Sequence, residues 1–117
     1  MKIRRGDIVT VRLNPTEGSE QQGANRPCVV IQNDVGNEHS ATTIVAPFTT
    51  QYDPDDIYPF EVELSASETP LDADSVADLS QLRTVDIEAR IQRRLGAVPT
   101  DDLRKINTAI KESLGLY

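Results

Sequence analysis

The chain has 117 residues, 12 basic and 19 acidic, for a net charge of −7. This length suits one domain, residues 1–117, and is too short for a nucleotide-binding barrel or a two-domain enzyme. The single cysteine excludes an internal disulfide, no stretch approaches the roughly 18 apolar residues of a membrane span, and the N-terminus lacks the apolar core of a signal peptide, so we expect a cytoplasmic globular protein.

The first half of the chain is typical of short β-strands. Residues 7–13 alternate apolar and polar side chains, which predicts a strand. Residues 14–25 combine two glycines and a proline with polar side chains, and a loop of this length is often functional. β-Branched or alternating runs predict further strands at 28–31, 42–48 and 60–64, with a turn at 33–37 and a loop at 51–59.

The second half predicts a short strand at 75–77, one helical turn at 79–82 and a sixth strand at 90–98. A C-terminal helix follows, with Thr100 as its predicted cap and Gly115 as its end. Its apolar stripe consists of Leu103, Ile106, Ile110 and Leu114. The pattern therefore predicts a mostly β fold, a small antiparallel β-barrel closed by a C-terminal helix.

Charge is distributed unevenly along the chain. Residues 51–80 carry nine acidic and no basic side chains, whereas the two chain ends are net basic. This pattern fits a solvated acidic loop region, a polarised surface whose basic part meets a polyanion, or an acidic surface suited to a salt-rich cell interior. Composition alone does not choose among the three.

Familiar cofactor signatures are missing. The sequence contains neither a glycine-rich phosphate loop ending in Lys-Ser/Thr nor a cysteine pair for zinc. The only histidine, His39, lies in a polar turn, and Cys28 lies in an apolar run typical of a buried packing thiol. We therefore expect no cofactor and no metal ion.

Several polar residues remain as candidates for chemistry. Pro27 fixes its own φ and favours an extended backbone at Arg26, which restricts where the guanidinium points. Each candidate also has a plain structural explanation: Arg26 could pair with Glu17 or Glu20 at the surface, and Thr49-Thr50 could reflect β-propensity alone. Gln81 and Arg83 add an amide and a guanidinium near the predicted helical turn.

Taken together, these segments resemble the MazF/PemK toxin endoribonucleases from about residue 4 to the C-terminal helix. The segments that carry the resemblance are Arg5-Gly6-Asp7-Ile8, Gly18-Ser19-Glu20-Gln21, Arg26-Pro27, Val30-Ile31-Gln32-Asn33-Asp34, Thr49, Asp74-Ser75-Val76 and Gln81-Leu82-Arg83-Thr84-Val85-Asp86. The family fold is a homodimeric SH3-like barrel with a terminal helix, which agrees with the strand count reached above.

The resemblance implies a metal-independent toxin that cuts single-stranded RNA by attack of a ribose 2′-hydroxyl, leaving 2′,3′-cyclic phosphate and 5′-hydroxyl ends. Arg26 and Thr49 fall on the family's catalytic residues, and Glu20 is a candidate base. Residues implied to contact the substrate are Ser19, Gln21, Pro27, Thr50, Ser75, Gln81 and Arg83. The implied partner is an antitoxin whose acidic, partly disordered tail occupies the RNA path.

Because the chain is acidic, RNA binding needs its arginines grouped. We expect one face to collect Arg4, Arg5, Arg26, Arg83 and part of the cluster Arg90, Arg93 and Arg94. Residues 53–74 should point elsewhere or cover the groove as a lid. One alternative is a non-catalytic barrel toxin that binds a protein such as DNA gyrase, but those relatives use a Trp-containing tail and this chain has no Trp. Another is a family member that binds its antitoxin but no longer cuts, although Arg26 and Thr49 are both present.

Overall fold

Seven strands and three helices follow one another along the chain, and a computed structural model describes residues 1–117. Their bounds in chain order are β1 (Asp7–Val11), β2 (Arg26–Val30), α1 (Asp34–His39), β3 (Thr42–Thr49), β4 (Glu61–Leu64), β5 (Ser75–Asp78), β6 (Arg83–Asp86), α2 (Ile87–Arg90), β7 (Ile91–Ala97) and α3 (Thr100–Leu114). No helix combines the length and the apolar content needed to cross a bilayer.

β3 is the centre of a curled antiparallel sheet with the strand path β4-β5-β3-β2-β1-β7. One edge of β3 pairs with β2, while its other edge pairs with β6 over Thr42–Val45 and with β5 at Phe48 and Thr49. This confirms the mostly β fold with a C-terminal helix. The barrel remains open, because no strand pairing joins β4 to β7.

Successive side chains of a strand point to opposite faces of a sheet, and this alternation divides the core in two. On one face, Ile8, Val29 and Phe48 pack with Ile106 and Ala109 of α3. The second face carries a separate buried cluster: Val9, Val11, Leu13, Cys28, Val30, Val45, Val85, Ile87, Ile91 and Ile3. We call the first the helix-packed face and the second the inner face.

Two local expectations were wrong, and two elements were missed. Residues 34–39 form α1, in which Asn33 caps the helix by accepting the Gly36 amide at 2.8 Å. Residues 79–82 contain no helical turn, and a backbone hydrogen bond instead closes a turn from Asp78 to Gln81. The sequence reading also missed β6 and α2. β6 is only four residues long and owes its conformation to pairing with β3, a tertiary contact that local periodicity does not reveal.

α3 matches the expected bounds but not every detail. Its N-cap is Pro99, which makes no side-chain cap, so the assignment of Thr100 as the cap was wrong. Ile106 is fully buried, whereas Leu114 is 56% exposed and does not join the packed stripe. Gly115 ends the helix with a left-handed φ of 70°, as expected from its lack of a Cβ.

Candidate active site

The β2–β3 ladder brings Arg26 and Thr49 to neighbouring strand ends. Cys28 pairs with Pro47 in this ladder. Arg26, the first residue of β2, and Thr49, the last residue of β3, each lie two positions beyond that pair. Side chains two positions apart on a strand point to the same face of the sheet. The two residues named from the sequence therefore lie at the same end of the ladder, on the inner face.

Backbone carbonyls hold the Arg26 guanidinium at this position. Its Nε and Nη2 donate to the Gln22 carbonyl at 2.9 and 2.8 Å, and its Nη1 donates to the Phe48 carbonyl at 3.2 Å. Since Phe48 precedes Thr49, the guanidinium lies beside the peptide that leads into the threonine. A guanidinium has more N–H donors than these three bonds use, so one N–H on each terminal nitrogen remains for a ligand.

The Thr49 hydroxyl is also oriented by the backbone. Its Oγ1 accepts the Gln51 amide at 3.1 Å, which leaves the hydroxyl proton available for another acceptor. Thr49 is only 7% exposed, while Arg26 is half-buried and Thr50 is exposed.

A cavity of about 200 Å³ adjoins this strand end and gathers four of the residues named from the sequence: Glu20, Gln21, Gln81 and Arg83. Its apolar wall includes Val45 and Pro47. These residues and Thr49 occupy every second position of β3, so all three point to the inner face. Arg83 pairs with Val45 across the β3–β6 ladder, so its side chain rises from the same face. The Gln81 Oε1 accepts the Gln21 amide at 3.4 Å and so holds the loop against the cavity.

Three further side chains fix the base of the loop that carries Glu20 and Gln21. Arg83 donates to the Leu13 carbonyl, Arg90 donates to the carbonyls of Arg12 and Asn14 at 2.8 and 3.0 Å, and Gln92 donates to the Ala24 carbonyl at 2.8 Å. The Gly23 carbonyl in turn accepts the amides of Leu13 and Asn14. This long polar loop is therefore fixed at both ends.

Other residues named from the sequence lie further from the Arg26–Thr49 pair. Ser19 is exposed next to Glu20 in the loop. Pro27 pairs with Thr10 and, lying between Arg26 and Cys28, points to the helix-packed face. Ser75 is buried and donates its hydroxyl to the Ala73 carbonyl at 2.8 Å, and it points away from the inner face because its neighbour Val76 is the partner of Thr49.

The arginines do not share one face. Arg26, Arg83 and Arg90 converge near the C-terminal end of β1, where Val11 pairs with Arg26. Arg5 lies at the opposite end of β1 and donates to the Ile31 carbonyl at 2.8 Å. The expectation that Arg4 and Arg5 join the others was therefore wrong, because they precede β1. Arg94 does not join them either, since it pairs with Val9 and its Nε lies 3.1 Å from the Asp7 carboxylate at the start of β1.

The acidic segment is not a lid over the cavity. None of the cavity-lining residues belongs to 51–74. Ile57, Pro59 and Val62 instead border a surface groove with Lys105 and Thr108 of α3, on the helix-packed side. This agrees with the alternative expectation that the segment points elsewhere, and it leaves the cavity beside basic side chains.

Cys28 lies beneath the site as a buried thiol. Burial raises its pKa from 9.0 to about 12, an effect that the nearby Arg26 and Arg83 guanidinium groups partly oppose. His39 is exposed at the end of α1, and no three His, Cys, Asp or Glu side chains converge as a metal site would need. Sequence reasoning named Arg90 only as part of a basic cluster and missed that it anchors the loop, because nothing local shows that its guanidinium reaches backbone carbonyls far along the chain.

Fold and site together define a class: a small antiparallel β protein whose strand ends present a guanidinium and a hydroxyl beside a polar groove. The family model for PemK-like, MazF-like toxins of type II toxin–antitoxin systems matches residues 4–114. The chain belongs to this family.

Individual relatives are similar over nearly the whole chain. A protein named endoribonuclease MazF from Staphylococcus saprophyticus is 44% identical over 115 residues, covering 98% of this chain and 93% of the relative. The crystal structure of MazF from Deinococcus radiodurans superposes with a TM-score of 0.82 at 26% identity, covering 98% of both chains. A mycobacterial endoribonuclease in complex with its cognate antitoxin shares the fold, with a TM-score of 0.80 at 23% identity and coverage of 98% of this chain and 97% of that one.

Proposed function

We propose that this chain is a toxin endoribonuclease that cleaves single-stranded RNA at short sequences and is neutralised by a cognate antitoxin. The observation that carries the proposal is the Arg26 guanidinium, which donates to the carbonyl of Phe48 and so lies beside Thr49 at the end of the β2–β3 ladder. The endoribonuclease relative, 44% identical, supports it independently and favours cleavage over the gyrase-binding alternative.

In the proposed reaction the ribose 2′-oxygen bonds to the adjacent phosphorus and the bond from phosphorus to the 5′-oxygen breaks. The products are a 2′,3′-cyclic phosphate and a 5′-hydroxyl. The 2′-hydroxyl proton passes to a base, and the leaving 5′-oxygen gains a proton from an acid or from water. All the protein must supply is alignment, proton transfer and stabilisation of the charge that develops on the phosphoryl oxygens.

Arg26 and Thr49 match the charge-stabilising part of this task. Arg26 keeps two unused N–H donors for phosphoryl oxygens, and its backbone bonds fix the guanidinium before substrate arrives. The Thr49 hydroxyl adds a further donor from the facing strand end. Removing one such preorganised donor typically costs about 10² to 10³ in rate.

Glu20 is the proposed base. Glu20 borders the cavity together with Gln21 and Arg83, and it is the only acidic residue that does so. A guanidinium stays protonated in proteins and is a poor proton acceptor. Gln81 and Arg83 are proposed to hold the RNA strand along the cavity, with Ser19, Pro27, Thr50 and Ser75 proposed as more distant contributors to the path.

The partners follow from the family. We infer that the chain acts as a homodimer in the cytoplasm. We also infer that an antitoxin with an acidic tail competes with RNA for the basic side chains beside the cavity. The charge arrangement supports this competition, since Arg83 lines the cavity and no acidic side chain of residues 51–74 does.

Cleavage of a long mixed RNA in the presence of EDTA, with mapping of the new ends, tests the proposal. We expect specific cuts with cyclic-phosphate and 5′-hydroxyl ends, and a loss of about 10² or more in rate for Arg26→Ala and for Thr49→Val. Arg104→Ala is the matched control, because Arg104 lies exposed on α3 and should cleave as the unaltered protein does. Absence of cleavage, or full activity in Arg26→Ala, would overturn the proposal.

A further inference from the structure

Bases of single-stranded RNA are commonly held by stacking on aromatic side chains, and this chain has five aromatic residues to offer. Phe48 is buried in the core. Tyr58 and Phe60 stack on each other with ring centroids 5.2 Å apart, and Tyr117 is the exposed last residue beyond α3. Of these residues, only Tyr52 comes shortly after Thr49, the last residue of β3, in the sequence.

The strand ladder places Glu63, the hydrogen-bond partner of Tyr52, on the same face of the sheet as Arg26 and Thr49. Thr49 pairs with Val76, and Val76 pairs with Glu63. Directly opposed residues share a face, so Glu63 stands on the inner-face side, two strand spacings or ~10 Å from Thr49. Tyr52 donates its phenol to the Glu63 Oε2 at 2.7 Å, which connects the segment after β3 to β4.

The contact fixes the phenol but leaves groups free for a ligand. Tyr52 is half-buried and Glu63 is exposed, and the second carboxylate oxygen of Glu63 accepts no hydrogen bond in the structure. Desolvation, followed by the hydrogen bond and the charge of Glu63, raises the pKa of Tyr52 to about 12. The phenol therefore stays a donor to Glu63 at neutral pH, and the ring keeps one orientation.

We propose that Tyr52 and Glu63 form a subsite for one RNA base next to the scissile phosphate. The base stacks on the Tyr52 ring, and an exocyclic amino group of that base donates to the free oxygen of Glu63. The subsite accordingly prefers cytosine, adenine or guanine over uracil, which carries no amino group. This inference rests on the proposed ribonuclease function and adds a specificity determinant to it.

The test uses the full chain and an RNA whose cleavage site has first been mapped with the unaltered protein. Tyr52→Ala is expected to raise KM about 10-fold while kcat changes little, because stacking binds the base without touching the reacting atoms. Tyr52→Phe keeps the ring and should retain most of the binding. Tyr58→Ala is the matched control, since Tyr58 is an exposed aromatic outside the site.

Glu63→Gln tests the amino-group contact. With RNAs that carry each of the four bases at the flanking positions, the variant should lose the preference against uracil at one position and keep its preferences elsewhere. A thermal unfolding curve like that of the unaltered protein would show that the effect is not a loss of fold.

Two results separate this inference from the proposed function. If the unaltered protein cleaves RNA and Tyr52→Ala matches it in KM, the subsite is refuted while the ribonuclease proposal stands. If the unaltered protein does not cleave at all, the Kd for a chemically synthesised RNA is compared between it and Tyr52→Ala. An equal Kd for the two proteins would refute the subsite as well.

Discussion

The pKa of Cys28 is affected both by burial in the core and by the charged side chains of the nearby site. The thiol packs in the inner-face cluster, yet two guanidinium groups approach it closely enough to oppose part of the effect of burial. Burial prevails, so the thiol stays protonated in the folded protein over a wide pH range. Its role is packing, and its titration gives a measurable dependence of stability on pH.

The free energy of unfolding should fall as pH rises above about 9. In the unfolded chain Cys28 loses its proton near 9.0, whereas in the folded chain the pKa is about 12, so between these values only the unfolded state releases a proton. The full stability is present below this range and declines through it by at most about 1.4 kcal/mol per pH unit. Urea unfolding at pH 8 to 10.5, compared with Cys28→Ala, measures the difference in slope. Parallel curves for the two proteins would contradict the assignment.

At the scale of elements, sequence patterns predicted what depends on local periodicity and missed what depends on distant contacts. The β-strand period of β1 and the helical spacing along α3 were both readable, because apolar side chains recur at the period of each element. β6 was missed because four residues with one buried side chain carry no pattern of their own. Arg26 and Thr49 were identified only through a family resemblance, since no local rule shows that two strand ends face each other.

The loop before β2 gives a second example of distant anchoring. Its residues are polar and glycine-containing, which indicates flexibility by composition alone. In the fold, Arg90 holds the carbonyls of Arg12 and Asn14 from α2, and the Gly23 carbonyl closes the loop by accepting two amides. We infer that Arg90 is a positioning residue that acts on the cavity through the loop.

Arg90→Ala should loosen this loop without unfolding the protein. Loss of charge-assisted hydrogen bonds should lower the local opening free energy by about 1.5–3 kcal/mol, and amide exchange at Leu13 and Asn14 should accelerate about 10- to 100-fold. Native-state hydrogen exchange followed by NMR measures the change residue by residue. Arg93→Ala serves as the control, because Arg93 is exposed on β7 and makes no hydrogen bond to the loop. Equal exchange rates in the two variants would show that Arg90 does not anchor the loop.

At the scale of the whole molecule, the negative net charge is compatible with RNA binding because opposite charges lie in different places. Part of the acidic segment borders α3, whereas the cavity is lined by Arg83 and by no residue of that segment. Since only a few guanidinium groups face the groove, few phosphates can be neutralised. The dependence of cleavage on salt should therefore be shallow compared with that of strongly basic RNA-binding proteins.

The slope of log(kcat/KM) against log[salt] counts these contacts. For single strands each neutralised phosphate contributes about −0.7, so Arg83→Ala should make the slope less negative by about 0.7. Arg83→Lys should keep the slope, because the charge remains, while activity falls through loss of the hydrogen bond to the Leu13 carbonyl. Arg104→Ala should alter neither quantity, since Arg104 lies on α3 beside Asp101. An unchanged slope in Arg83→Ala would show that the RNA backbone does not contact Arg83. The RNA would then have to leave the cavity along the loop before β2 rather than along β6.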